Sequence, residues 1–158
     1  MEKIWAPWRM QYILADKKDG CIFCDKVREG EDRKNYILFR DRLGFIIMNI
    51  FPYNNGHLMI APYRHAASLE DLTSEELLQI MTLTKKSLSC LQQAMKAEGY
   101  NIGMNIGAVA GAGIADHLHL HIVPRWSGDT NFMPVLADTK VLPQHLDTTY
   151  DLLKPLFR

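Results

Sequence analysis

Apolar runs separated by short polar breaks along residues 36–106 predict a set of strands joined by turns. The first three runs lie at residues 36–40, 43–50 and 57–61. Asp41 and Arg42 separate the first two runs, and turn-forming residues from Pro52 to Gly56 precede the third. The second run is almost continuously apolar, so we expect it to be a buried strand. A fourth strand is predicted at residues 101–106.

The spacing of apolar positions becomes helical after residue 73. Thr73 and Glu76 fit a capping box at the start of a long helix, and Gly99 predicts its end. The apolar positions that predict its buried face are Leu77, Met81, Leu88, Leu91 and Met95, with Thr84 in the gap. A shorter helix is predicted at residues 144–154. Short strands with one long helix and no regular strand–helix alternation predict an α+β fold with an antiparallel sheet.

Composition and charge narrow the class of protein. The 158 residues predict a single domain, with residues 1–20 as an N-terminal anchoring segment and residues 127–158 as a C-terminal extension. Basic and acidic residues number 18 each, so the net charge is zero, which argues against a nucleic-acid or membrane-surface binder. The sequence has no apolar run long enough to span a membrane and no signal-peptide pattern at its N-terminus. We therefore expect a cytoplasmic protein.

Histidine alternates with aliphatic residues between His117 and Ile122. In a β-strand this alternation places His117, His119 and His121 on one face, about 6–7 Å apart, and the aliphatic side chains on the other. A row of imidazoles is typical of a site that handles protons, a metal or a phosphoryl group. A neutral imidazole can attack phosphorus and form a covalent intermediate, and His119 in the middle of the row is the best placed to do so.

The segment Gly107–Gly113, which leads into the histidines, consists of glycine, alanine and one valine. Without bulky polar side chains, its backbone N–H groups could approach phosphate oxygens closely. Asn105 adds a side-chain donor just before this loop. The loop and the histidines together predict a phosphate-binding site.

Cys21 and Cys24 form a Cys-x-x-Cys pair, which leaves several alternatives open. With two of the six histidines, the pair could complete a Cys₂His₂ zinc site, although spacing alone does not choose the histidines. The two cysteines could instead be reduced thiols packed in a loop. A redox pair is less favoured, because no strand precedes Cys21. Metal binding by the three aligned histidines alone would need a bent strand.

Residues 117–123 resemble the motif of the histidine triad family, and residues 54–62 resemble that family's Gly-His-hydrophobic-Pro strand. The resemblance covers roughly residues 20–126 and implies a five-stranded antiparallel sheet with one long helix, usually as a homodimer. It also implies nucleotidyl transfer or hydrolysis at the α-phosphate of a nucleotide, without an organic cofactor. Further segments are similar to the bacterial diadenosine tetraphosphate phosphorylase branch, which splits the dinucleotide with inorganic phosphate into ATP and ADP: residues 5–12, 53–63, 116–126 and 128–132.

The resemblance also assigns roles to individual residues. It implies that His119 becomes nucleotidylated, while His121 and His57 contact the phosphate or orient the nucleophile. Asn49 stands where many relatives have an aspartate that binds the ribose. The remaining residues implied to contact the nucleotide are Leu38, Phe39 and Ile50 around the base and Asn105, Gly111 and Gly113 at the phosphate. Gly113 differs from the Gln or Ser of many hydrolase relatives, so a donor at this position must be backbone.

Zinc-bearing relatives, including the galactose-1-phosphate uridylyltransferases, bind the metal through positions that correspond here to Cys21, Cys24, His65 and His117. Four protein ligands leave no open position, so the resemblance implies one structural zinc per chain. Some phosphorylases of this branch lack the cysteines, and zinc therefore does not identify the reaction.

Two alternatives remain beside the phosphorylase. The first is a hydrolase or nucleoside phosphoramidase of the same family that uses water as acceptor. The second is a nucleotide-binding or zinc-binding module without turnover, against which the presence of His57, Asn105, His119 and His121 argues.

Overall fold

The computed structural model of the protein describes residues 20–129 and 144–158. Its helices are α1 (Ile22–Glu29), α2 (Ser74–Met95) and α3 (Leu146–Leu153). Its strands are β1 (Ile37–Arg40), β2 (Gly44–Met48), β3 (Leu58–Pro62), β4 (Gly99–Gly103) and β5 (Leu120–Arg125). The predictions for residues 1–19 and for 130–143 fall outside the described residues.

The five strands form one antiparallel sheet in the order β1-β2-β3-β5-β4, which confirms the predicted fold class. The first three strands lie within two residues of the predicted runs. The fourth begins earlier than predicted, at Gly99, and ends at Gly103. The histidine strand is also shorter than predicted, because β5 begins at Leu120 and leaves His117 and His119 in the segment before it.

Helix α2 begins with the predicted capping box. Thr73 accepts a hydrogen bond from the backbone of Glu76, and the Glu76 side chain accepts one from the backbone of Thr73. The predicted end at Gly99 is wrong. The helix ends at Met95, because Lys96 adopts the left-handed conformation (φ 52°) and its N–H donates to the Gln92 carbonyl.

The buried face of α2 differs from the predicted stripe. Leu77 and Met81 are 37% and 53% exposed, whereas Leu83 and the hydroxyl residues Thr84 and Ser87 are buried. These hydroxyls donate to carbonyls one turn earlier, so that their burial leaves no donor unpaired. Leu91 and Thr84 of the predicted stripe are buried, so the prediction was correct in part. Apolar periodicity missed Ser87 because it is polar by residue type.

The sheet has two differently covered faces. Helices α2 and α3 cover one face, with a core that includes Ile46, Leu58, Ile60 and Ile122. On the other face, Phe23 of α1 packs on Phe45, Ile47 and Ala61. Because side chains alternate along β5, His121 lies on the α1 side of the sheet.

The C-terminal segment covers the outer edge of β1. The Tyr150 hydroxyl donates to the Ile37 carbonyl at 3.1 Å, and the Lys154 ammonium donates to the carbonyls of Ile37 and Leu38. Phe157 lies beside Phe39, with 6.4 Å between the ring centroids. The α3 segment is therefore part of the folded domain. Among the described residues, no helix has the length and apolarity needed to cross a membrane.

Candidate active site and metal centre

The segment before β5 holds the His119 ring between two aromatic neighbours. Phe23 lies 5.0 Å from it and His121 4.7 Å from it, measured between ring centroids. The side chain is 5% exposed, and this burial lowers the pKa of His119 below the ordinary histidine value. The ring is therefore neutral at pH 7, which is the nucleophilic form.

A backbone contact selects the tautomer of His119. Its Nδ1 atom lies 2.9 Å from the carbonyl oxygen of His117, which can only accept a hydrogen bond. Nδ1 must therefore carry the proton, and the lone pair of the neutral ring is on Nε2. The geometry thus provides a buried, neutral imidazole with one defined nucleophilic nitrogen.

His57 and His121 form a hydrogen bond whose donor and acceptor can be assigned. Nδ1 of His57 accepts a hydrogen bond from the Tyr53 backbone N–H at 3.1 Å, so its proton is on Nε2. That Nε2 donates to Nδ1 of His121 at 2.9 Å, which leaves the proton of His121 on its own Nε2. Burial, followed by the proximity of His119, lowers the pKa of His121 to about 4. His121 is therefore a neutral hydrogen-bond donor beside His119.

A separate cluster brings together the four predicted metal ligands. The ligand atoms of Cys21, Cys24, His65 and His117 all lie within 4.8 Å of one another. The Cys21 sulfur is 3.2 Å from Nδ1 of His117, and the Cys24 sulfur is 3.6 Å from Nδ1 of both His117 and His65. These three sulfur–nitrogen distances are close to those between neighbouring corners of a tetrahedron with metal–ligand bonds of about 2.0–2.3 Å.

Local structure explains why these ligands converge. Helix α1 begins at Ile22, between the two cysteines, and its first turn brings both sulfurs to the same cluster. Nε2 of His117 donates to the Pro62 carbonyl at 2.9 Å, which leaves the Nδ1 lone pair for a metal. Burial and the adjacent Cys21 sulfur raise the pKa of the Cys24 thiol, and a bound cation would reverse this by stabilising the thiolate. The donor set therefore fits a metal with tetrahedral preference.

Some of the predicted nucleotide-binding residues surround a cavity of about 270 Å³ beside His57. Asn49 and Ile50 line it at the end of β2, while Gln144 and His145 line it from the C-terminal segment. Asn49 is also held within the protein, since its Oδ1 accepts from the Phe51 N–H at 2.9 Å and its Nδ2 lies 3.3 Å from Nδ1 of His57. The cavity thus joins the histidine pair to the C-terminal segment.

The structure does not bring the other predicted nucleotide contacts to this cavity. Leu38 is fully buried in the core beneath α2, and Phe39 lies between Phe157 and the Lys86 ammonium. Asn105 follows β4. Gly111 and Gly113 lie in the loop after the short 3₁₀ turn Ala108–Ala110, with Gly111 at φ 85°. The roles proposed for these five residues stay predictions.

Sequence reasoning missed three contributors. Phe23 contacts both His117 and His119, the Tyr53 backbone sets the tautomer of His57, and the Pro62 carbonyl orients His117. Phe23 could have been found, because a large apolar residue between two cysteines of a candidate metal site is placed to cover that site. The two backbone contacts could not have been found from the sequence, because backbone groups do not depend on the residue type.

Comparison with known proteins agrees with this geometry. The model of the HIT domain family matches residues 30–128. The AP-4-A phosphorylase of Mycobacterium tuberculosis is 36% identical over 97% of this chain and 83% of its own length. An uncharacterized HIT-like protein of Saccharolobus solfataricus is 34% identical over 72% of this chain and 79% of its own length.

Solved structures share the fold. A Zn-bound histidine triad family protein from Mycobacterium smegmatis superposes with a TM-score of 0.70 at 24% identity, covering 87% of this chain and 92% of that one. A HIT family protein from Bacillus anthracis gives a TM-score of 0.62 at 27% identity, covering 70% of this chain and 76% of that one.

Proposed function

Since this chain belongs to the HIT domain family, we propose that it is a nucleotidyltransferase that splits dinucleoside polyphosphates, most specifically a diadenosine tetraphosphate phosphorylase. The observation that carries the proposal is the lone pair on Nε2 of the buried, neutral His119. The choice of substrate is supported by the name of the Mycobacterium tuberculosis relative, which aligns with almost the whole chain.

In the proposed first step, Nε2 of His119 attacks an α-phosphorus of diadenosine tetraphosphate. The Nε2–P bond forms, the P–O bond to the bridging oxygen breaks, and ATP leaves with that oxygen. The Nε2–H of His121 donates to a phosphate oxygen, where negative charge builds up during the attack. Because His121 has a pKa of about 4, it provides this donor without a positive charge of its own.

In the proposed second step, an oxygen of inorganic phosphate attacks the same phosphorus. The new P–O bond replaces the Nε2–P bond, so that ADP is released and His119 is regenerated as a neutral ring. Water in place of phosphate would give AMP, which is the reaction of the alternative hydrolase. The second product therefore identifies the acceptor: ADP indicates phosphate and AMP indicates water.

The cavity beside His57 is proposed to hold the nucleoside of the transferred nucleotide. It combines apolar walls, which include Ile50 and Leu146, with the amides of Asn49 and Gln144. Its volume is near the lower end of the range for small-molecule sites, about 300 Å³. A purine nucleoside needs this combination of flat apolar contact and a few directed hydrogen bonds.

The metal centre is proposed to hold one zinc ion with a structural role. Two thiolates and two imidazoles are a donor set that zinc prefers, and a zinc-bound neighbour shares the fold. With all four positions filled by protein, the metal ties α1 to the segment that holds His119. The ion itself takes no part in the proposed steps.

Two further features belong to the proposal. The active form is a homodimer, supported by the exposed apolar residues Leu78 and Met81 on α2, and light scattering after size-exclusion chromatography tests it. The location is the cytoplasm, where metal-binding thiolates stay reduced.

Product analysis tests the proposed reaction. Diadenosine tetraphosphate is incubated with the protein, with and without inorganic phosphate, and the nucleotides are separated by chromatography. ATP plus ADP that form only with phosphate support the phosphorylase, whereas ATP plus AMP identify a hydrolase. Mass spectrometry should find a nucleotidyl adduct in protein kept at neutral pH and not in acid-treated protein. His119→Ala should lack this adduct. Undiminished turnover by His119→Ala would overturn the mechanism.

A further inference from the structure

A buried amide connects the turn before His57 to the end of β5. Asn54 is 7% exposed, and its Nδ2 donates to the Pro124 carbonyl at 3.0 Å and to a carboxylate oxygen of Asp129 at 2.9 Å. The backbone carbonyl of Asn54 accepts from the His57 N–H at 3.2 Å. The side chain of Asn54 therefore binds the turn to the end of β5, while its backbone carbonyl closes the turn at His57.

Asp129 is a rigid anchor for this amide. Its carboxylate accepts from Nε and Nη2 of Arg125 at 2.6 and 2.9 Å and from the Trp126 backbone N–H at 3.2 Å. Nη1 of Arg125 donates in turn to the side chain of Asn101 on β4. The hydrogen bonds from Arg125 lower the pKa of Asp129 to about 2, so the carboxylate is charged throughout the neutral range.

The anchored turn includes the residue that sets the tautomer of His57. Tyr53 immediately precedes Asn54, and its N–H donates to Nδ1 of His57. The Tyr53 ring also covers both imidazoles of the pair, with centroids 4.7 Å from His57 and 5.9 Å from His121. A shift of the turn would therefore move the nearer of the two donors that keep the proton of His57 on Nε2, the other being the Asn49 amide at 3.3 Å.

We propose that Asn54 and Asp129 are positioning residues that fix the tautomers of His57 and His121 through the Tyr53 backbone. Neither touches the reacting atoms. If the turn relaxes, Nδ1 of His57 loses the nearer of its two donors, the Tyr53 N–H, and keeps only the Asn49 amide at 3.3 Å. The other neutral tautomer of the ring then gains population. Nε2 of His57 then accepts from His121, and Nε2 of His121 becomes a lone pair that faces the site. The catalytic consequence rests on the proposed function, but the tautomers do not.

The test measures the tautomers directly in the whole protein without substrate. Long-range ¹H–¹⁵N correlation spectra of histidine-labelled protein distinguish a protonated Nδ1 from a protonated Nε2. We expect wild-type His57 and His121 to be protonated on Nε2, and Asn54→Ala to show a mixture of tautomers at both rings. Asp129→Asn, which keeps the shape of the side chain, should show the same change to a smaller degree and serves if Asn54→Ala does not fold.

Turnover gives the second readout. With diadenosine tetraphosphate, kcat should fall about 10- to 100-fold in Asn54→Ala, because the fraction of His121 with a lone pair on Nε2 cannot donate to the phosphate oxygen in the transition state. KM should change less than about threefold, because the contacts to the nucleoside remain. Glu76→Gln is the matched control, since Glu76 pairs with Arg64 in the same two-contact manner and also has a pKa of about 2, but lies at the start of α2. It should lose stability without changing the tautomers or kcat.

The outcomes separate the two proposals. Wild-type tautomers in folded Asn54→Ala and Asp129→Asn would overturn the positioning role, whatever their turnover. A change of tautomer in these variants, with no turnover of any dinucleotide by the wild-type protein, would support the positioning role and overturn the proposed function instead.

Discussion

His117 and His119 are joined by a hydrogen bond that links the candidate metal centre to the candidate nucleophile. The carbonyl of His117 accepts from Nδ1 of His119, while the side chain of His117 offers its own Nδ1 to the cluster with Cys21 and Cys24. The alternation of histidines, which suggested three equivalent rings, therefore serves two different sites. The candidate metal ligand and the candidate nucleophile are two positions apart in the chain.

Loss of one candidate metal ligand should remove the metal and destabilise the fold around it. We expect Cys24→Ser to reduce the zinc content measured by plasma mass spectrometry from about one per chain to near zero. The melting temperature should fall by more than about 5 °C, because each kcal/mol corresponds to about 2–4 °C in a domain of this size. The matched control is Cys90→Ser, since Cys90 is buried beneath the C-terminal segment, outside the cluster. Full zinc content in Cys24→Ser would contradict the assignment.

Phe23 should contribute far more to stability than its neighbour on α1. It is 1% exposed and contacts both His117 and His119, so Phe23→Ala should lower the free energy of unfolding by about 3–5 kcal/mol. Ile22→Ala, at an exposed position of the same helix, should change it by less than about 0.5 kcal/mol. Urea denaturation measures both variants. Similar values for the two would show that α1 does not pack as described.

The capping box should make stability depend on pH in the acid range. Hydrogen bonds from Arg64 and from the Thr73 backbone lower the pKa of Glu76 from 4.5 to about 2 in the folded protein. The stabilisation is therefore complete above pH 4.5 and is lost as the pH falls toward 2, because the unfolded chain takes up its proton first. The difference in free energy of unfolding between wild type and Glu76→Gln should shrink over that interval.

That comparison cancels contributions that both proteins share, including acid release of a metal. Chemical denaturation at pH 6, 4 and 3 measures the difference. A difference that stays constant or grows as the pH falls would contradict the assigned role of the Glu76 carboxylate.

Gln144 should contribute to substrate binding rather than to chemistry. Its Oε1 lies 3.3 Å from Nδ2 of Asn55 and 2.9 Å from the Thr149 hydroxyl, which fixes the amide at the cavity wall. We expect Gln144→Ala to raise KM about 3- to 10-fold with little change in kcat, as for the loss of one uniform binding contact. Steady-state kinetics measure this, with exposed Thr148→Ala as the control from the same segment. A fall in kcat at unchanged KM would place Gln144 elsewhere in the mechanism.

The fold was predictable where the residues adopt the backbone conformation that their residue types favour. The capping box at Thr73 and the apolar runs of β1 to β3 each specify one local structure, and the observed elements follow them closely. The end of α2 was not predictable from Gly99, because Lys96 adopts a left-handed conformation that glycine would ordinarily provide. Exposed Met81 and buried Ser87 show the same limit for burial, which tertiary packing decides.

The sequence predicted which side chains form the candidate site, but not which ring nitrogen of each histidine carries the proton. The side chains of the four candidate metal ligands lie together in one cluster. The placement of protons at His57, His119 and His121 depends instead on backbone groups of Tyr53 and His117, and any residue type supplies those groups. The Asn54 anchor was missed for a similar reason, since its partner Asp129 is 75 positions away along the chain.

The contacts of Tyr150 and Lys154 with β1 have a consequence for how copies of this chain can associate. Exposed strand edges are where sheets recruit further strands, and unlimited recruitment leads to fibrils. At the β1 border the carbonyls of Ile37 and Leu38 already accept hydrogen bonds from Tyr150 and Lys154. Among the described residues, β4 forms the opposite border, with Asn101 to Gly103 exposed to solvent. Strand addition is therefore less favoured at β1 than at β4, and a pair of copies joined at β4 would present a partly covered β1 strand at each border.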